Sequence, residues 1–208
     1  MLISRPSDQI RLTSDEGLPI LLRAVLPEDK WRFVEGFTRL SPAARFQRFF
    51  TPIQRLTEEQ LQYLTEVDQS RHVAWGICDR SSPGQPGIGV ARYVVTEDDG
   101  DVGDIAITII DEFQGHGLGR ILLATMSLLA VDNGIRAFRG DVHWKNELVQ
   151  NWLSRLGATS LRDGKRVVMD LPIDLDGWRA KGDAFAEVLH TLTPLLPLSR
   201  PDEAPPER

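Results

Sequence analysis

Apolar spacing divides the chain into short elements of mixed type. "PILLRAV" is a compact apolar run, read as a strand, and "LPEDKWRFVEGFTRL" follows it as a helix, with Pro27 in the first turn and Glu28 and Asp29 near the positive end of its dipole. "LSPAARFQRFF" begins a second helix, with Ser41 as N-cap and Pro42 at the first helical position. "LTEEQLQYLTEV" begins a third, capped by Thr57 and carrying Leu61, Leu64 and Val67 at helical spacing. The period changes at His72: "HVAWGICD", "IGVARYVVTE" and "VGDIAITII" read as three strands of an antiparallel meander, separated by "RSSPGQPG" and "DDGD". After "QGHGLGR" comes "ILLATMSLLAVDNG", a helix stopped at Asn133-Gly134, and then "IRAFRGDVH" as a strand. "NELVQNWLSRLG" is an amphipathic helix with Leu148, Trp152 and Leu156 on one face, and "ATSLRDGKRVVMDLP" is a hairpin turning at Asp163-Gly164.

The two ends are patterned differently. The opening residues are polar and read as a loose arm over 1–17, which leaves the main domain at 18–174. Residues 175–208 read as a C-terminal extension, with "DAFAEVLHTLTPLL" as a short helix and "PLSRPDEAPPER" as a disordered tail. The fold class expected is mixed α/β (α+β), a mainly antiparallel sheet flanked by helices.

Composition narrows the function classes. The 208 residues are 41% hydrophobic and 26% charged, which fits one well-packed soluble domain. A net charge of −6 without a long basic block argues against general nucleic-acid binding. No run approaches the roughly 18 apolar residues of a membrane span, and the N-terminus has no secretory h-region, so a cytoplasmic protein is expected. The single cysteine, Cys78, excludes an internal disulfide framework and a thiolate metal site; it reads as a buried strand residue more readily than as a nucleophile. His116 and His143 have no ligand spacing around them, and no metal is expected.

The chemistry concentrates in "DIAITIIDEFQGHGLGR". Gly115, Gly117 and Gly119 stand between a strand and a helix, where backbone amides are unpaired and suited to phosphate. A P-loop requires Gly-Lys-Ser/Thr, but Gly119 is followed by Arg120 and Ile121. A Rossmann turn requires a third glycine or alanine where Arg120 stands, and it follows the first strand of a βαβ unit rather than a meander. What remains is a pyrophosphate cradle of another topology, or simply a tight turn.

"QGHGLGR" matches the Q/R-x-x-G-x-G/A signature of the GNAT superfamily of N-acetyltransferases at Gln114, Gly117 and Gly119. The resemblance covers roughly residues 18–172. "LSPAARFQRFF", "LTEEQLQYLTEVD", "IGVARYV" and "GDIAITIIDEFQGHGLG" further resemble the catalytic domain of bacterial Pat-like protein lysine acetyltransferases. Some of those carry a cyclic-nucleotide-binding domain; this chain is expected to be a stand-alone catalytic unit. The resemblance implies a sheet splayed between the fourth and fifth strands, with acetyl-CoA entering the gap. The backbone of Ile107, Thr108 and Ile109 would pair with the pantetheine arm. The amides of Gly115, His116, Gly117, Leu118, Gly119 and Arg120 would receive the pyrophosphate, with Gln114 at the start of the signature. Asn146 and Arg155 correspond to further cofactor contacts, although Asn146 also suits an N-cap and Arg155 a solvated helix face.

The implied reaction is direct acetyl transfer to an amine in a ternary complex, the acceptor being a protein lysine. Only on the order of one lysine in a few thousand is neutral at pH 7, so a base is needed. Pat-like enzymes place a glutamate where this chain has Asp104, which keeps the carboxylate and shortens its reach. Burial would have to raise its pKa to make it an effective base, and a strand-edge acid is the alternative reading. The tyrosine that many superfamily members use as acid is replaced by Leu153. An acyl-CoA-binding regulatory module without turnover and a small-molecule amine acetyltransferase therefore remain as alternatives. The helices over residues 41–67 are expected to cover the acceptor side, with Arg45, Arg48 and three aromatics of "RFQRFF" among them. Oligomeric state is not legible.

Overall fold

Eight strands form one sheet in the order β1-β2-β3-β4-β5-β6-β8-β7 in the computed structural model, which describes residues 9–96 and 100–198. The strands are β1 (Gln9–Thr13), β2 (Pro19–Ala24), β3 (His72–Asp79), β4 (Gly87–Val94), β5 (Val102–Ile109), β6 (Ala137–His143), β7 (Thr159–Asp163) and β8 (Arg166–Pro172). All neighbouring pairs are antiparallel except β5 with β6. The expected meander is β3-β4-β5, and the expected hairpin is β7-β8 with Gly164 at φ +60°. The N-terminal arm was the wrong expectation for residues 9–13. They pair in register with β2 along the sheet edge, and Ile10 alone is buried, so the strand looks polar because most of it faces solvent.

Among the described residues, seven α-helices flank the sheet. One face carries α4 (Leu118–Asp132), whose residues 121–130 are all buried because the helix packs on β3, β4 and β5 and is covered in turn by α7 (Ala184–Leu192). The other face carries α1 (Lys30–Arg39), α2 (Pro42–Phe49) and α3 (Glu58–Thr65). Ser41 caps α2 by accepting from the Ala44 amide, and Thr57 with Gln60 forms a capping box at α3. A bidentate ion pair from Arg23 on β2 to Asp29, joined by Arg32, pins the start of α1 to the sheet. Burial alone would raise the Asp29 carboxyl, but the bonds from Arg23 and the Leu26 amide outweigh it and hold the group below the usual carboxylate range.

The segment after residue 174 is part of the core rather than an extension. Trp178 in α6 (Leu175–Ala180) is 1% exposed and donates its indole N–H to the Leu156 carbonyl at 2.8 Å. Phe185 and Leu189 of α7 are buried beside it. The expected disordered tail falls outside the described residues from 199 onward, apart from its first few positions.

Candidate active site

β5 and β6 part company early. Their parallel pairing is confined to residues 102–104 against 137–139, whereas β5 keeps its ladder to β4 as far as Ile109 and β6 stays paired with β8 throughout. Beyond Asp104 the β6-facing edge of β5 therefore carries no ladder to β6. With the extra edge strand β1 counted, this is the splay expected between the fourth and fifth strands. It opens a groove of about 1490 Å³ that contains Ile107, Thr108 and Ile109 along its wall.

The glycine turn closes one end of the groove. Gly115 and Gly117 have φ of +86° and +77°, a left-handed backbone that a Cβ would strain, and Gly117 is the N-cap of α4. Because Gly117 has no side chain to cap the helix, the first α4 amides are left for a ligand. Gln114 donates from Nε2 to the Ile109 carbonyl at 3.3 Å, tying the turn to the end of β5. Gly119 lies inside the first turn of α4, where a Cβ would stand 3.6 Å from Ile109 Cδ1.

The groove gathers most of the residues the sequence singled out. Asp104, Gln114, Gly115, Gly117, Leu118, Gly119, Arg120, Asn146 and Arg155 all line it. Leu118 is 1% exposed, so only its backbone can serve a ligand there. His116 does not line the groove; its ring lies near Phe113, and its Nδ1 is buried without a partner. Asn146 caps α5 (Glu147–Arg155) by accepting from the Val149 amide at 3.3 Å, so its cap role is real. Leu148, expected on the packed face of α5, is 79% exposed and lines the groove instead. Among the described residues five arginines (Arg48, Arg120, Arg139, Arg155 and Arg166) face the groove against two aspartates, Asp104 and Asp141, although the chain as a whole carries −6. A polyanion is favoured there by charge.

Two contacts were not legible in the sequence. Asp15, in the β1-β2 turn, pairs with Arg120 and stands 2.5 Å from where a Gly117 Cβ would be. Its proximity depends on a hairpin that the polar pattern concealed. The second contact concerns Asp104. It is exposed, and it is the last β5 residue in register with β6, facing Arg139.

Cys78 lines a separate cavity on the other face, and burial pushes its thiol up, away from the thiolate form. Among the described residues no group of three His, Cys, Asp or Glu side chains could hold a metal ion, and no helix is long and apolar enough to cross a membrane.

The acetyltransferase (GNAT) domain family matches residues 20–159. The chain belongs to that family. It is 32% identical to acetyltransferase Pat of Mycolicibacterium smegmatis over 148 residues, which is 71% of this chain and 44% of that protein. The chain thus spans less than half the length of that relative. Among solved structures, the GNAT domain of S. lividans PAT superposes with a TM-score of 0.72 at 21% identity, covering 82% of this chain and 99% of that one. YncA from Salmonella typhimurium, a putative acetyltransferase solved with its cofactor acetyl-CoA, superposes at 0.59 with 15% identity, covering 74% and 94%. These two likenesses establish the shared fold, including the single parallel pair at the splay.

Proposed function

We propose that this GNAT domain transfers acetyl from acetyl-CoA to an amine, with a protein lysine side chain as the acceptor. The observation that carries the proposal is the joint presence of the splay and the left-handed glycine turn at its end. An extended arm with amides can pair with the unladdered edge of residues 105–109. A pyrophosphate can then reach the amides at the start of α4, with Arg120 beside them. In the transfer, the neutral amine nitrogen bonds to the thioester carbon and the carbon–sulfur bond breaks. The ammonium proton goes to a base, and the CoA thiolate leaves, taking its proton from solvent because Leu153 offers none. Asp104, at the mouth of the splay, is our candidate for the base, directly or through water.

Thermal melting with acetyl-CoA tests the cosubstrate, since a ligand that binds the folded state raises stability by mass action. No shift at millimolar acetyl-CoA sinks the proposal. Free-thiol release with lysine peptides tests the transfer. Asp104→Asn should lower kcat by about 10²-fold or more, and Asp104→Glu should retain it. Full turnover in the Asn variant removes Asp104 from the mechanism. The exposure of Asp104 favours one second reading, an acyl-CoA-binding module without turnover. Binding without thiol release across a broad amine panel selects that reading.

A further inference from the structure

The sheet face opposite α4 holds a second cavity, of about 110 Å³, beneath α1 and α2. It meets the groove at three shared residues, Arg48, Ala106 and Thr108, so it lies next to the splayed strand and opposite the core. Its walls are mostly apolar, yet among the described residues four arginines (Arg23, Arg32, Arg48 and Arg92) and a single acid, Asp29, line it. Asp29 is already committed: Arg23 engages both of its oxygens, and Arg32 shares one. Arg92 is 4% exposed and spends two donors on the Leu64 carbonyl and on His72 Nε2. Arg48 makes no side-chain hydrogen bond or ion pair among the described residues and lies against the Phe49 ring at 5.1 Å. No carboxylate among the described residues pairs with either Arg48 or Arg92.

Two like charges standing together with one of them buried are unfavourable: burial first, and then the Arg48 charge, bring Arg92 down to about 10. Burial likewise lowers Arg48. Aromatic faces ease the cost, with the rings of Phe33 and Tyr63 each 5.9 Å from the Arg92 guanidinium. They do not neutralise it. An anion supplied from outside would do so, and a carboxylate matches the guanidinium donor fork.

We propose that Arg48 and Arg92 form an anion subsite for the acceptor, so that the amine receiving acetyl carries a carboxylate that docks in this cavity. The proposal deepens the transfer reading above and rests on it for the word acceptor. The carboxylate has two possible sources, the α-carboxylate of a free amino acid or an acidic side chain beside a lysine in a protein.

The test compares acceptors that differ only in that group: free amino acids against their carboxamides, and lysine peptides flanked by Glu against the same peptides with Gln. Thiol release at saturating acetyl-CoA should give at least one acid form a KM roughly tenfold or more below that of its neutral partner, as expected for a charge-assisted bond. Arg48→Gln should erase that ratio, and Arg48→Lys should recover part of it. A preference confined to amino acids assigns the carboxylate to a small acceptor; one confined to peptides assigns it to protein. Equal use of acid and neutral forms, or a preference that survives Arg48→Gln, overturns the subsite. Where no acceptor turns over, melting with succinate decides. Stabilisation of the wild type but not of Arg48→Gln supports the subsite; equal response overturns it. Melting with acetyl-CoA reports separately on the transfer reading.

Discussion

The two signature glycines should respond to the same substitution with opposite signs. In Gly119→Ala the new methyl meets Ile109 Cδ1 at 3.6 Å, an ordinary contact, on a helical backbone. Replacing glycine by alanine in a helix is favourable by up to about 1 kcal/mol, less in the first turn, which for a chain of this size is a rise of roughly 2–4 °C at most. In Gly117→Ala the backbone must hold φ +77° with a Cβ, at a cost of about 1–2 kcal/mol. The methyl also falls 2.5 Å from Asp15 Oδ2. That carboxylate belongs to a half-exposed side chain and can swing away, so the added cost is the loss of an exposed ion pair with Arg120, about 0–1 kcal/mol. The expected fall in melting temperature is roughly 2–12 °C. Relaxation of φ would also rotate the amides at the head of α4, so Gly117→Ala should lose most of the stabilisation by acetyl-CoA while Gly119→Ala keeps it. Melting curves of both variants with and without the cosubstrate provide the measurement. A Gly117→Ala protein as stable as the wild type and equally stabilised by acetyl-CoA would refute the conformational argument.

Asp15→Ala frees Arg120 from its partner, and acetyl-CoA affinity should rise by up to about fivefold at low salt, shrinking as salt is added; calorimetric titration showing weaker binding would make Asp15 part of the cradle instead. His72 is held neutral, first by burial and then by Arg92, and its pKa falls from 6.5 to about 4. A depressed folded pKa gives stability that is full above the unfolded value and lost as pH falls from about 6.5 towards about 4. Urea unfolding at pH 7.5, 5.5 and 4.5 should show that decline, and His72→Gln should flatten it; an unchanged slope excludes His72 as its source. Trp178→Ala should cost about 3–5 kcal/mol and leave the Leu156 carbonyl without its donor, and a chain ending after Pro172 should fail to melt cooperatively; a truncated protein as stable as the full chain would show that α6 and α7 are not part of the core.

What the sequence disclosed and what it concealed follow a physical division. Features set by local chemistry were legible: the Ser41 and Thr57 caps, the turn at Gly164 and the need for glycine at Gly117 each depend on a few adjacent residues. Features set by sheet position were not. β1 is an edge strand with a single buried side chain, so alternation could not reveal it, and the Asp15–Arg120 contact was hidden with it. Leu148 fits an apolar stripe at four-residue spacing, yet the stripe continues past the core into the open groove. "RFQRFF" is the sharpest case. Its arginines and aromatics are expected on the acceptor side, the aromatics as core, yet no residue of α2 is fully buried. The Phe49 ring and its neighbours instead line the wall of a cavity in which Arg48 sits beside Arg92. A guanidinium on a helix is ordinarily read as solvated because water is its cheapest partner. Only the three-dimensional meeting of α2, β4 and β5 sets the half-buried Arg48 beside the buried Arg92, with no carboxylate paired to either among the described residues.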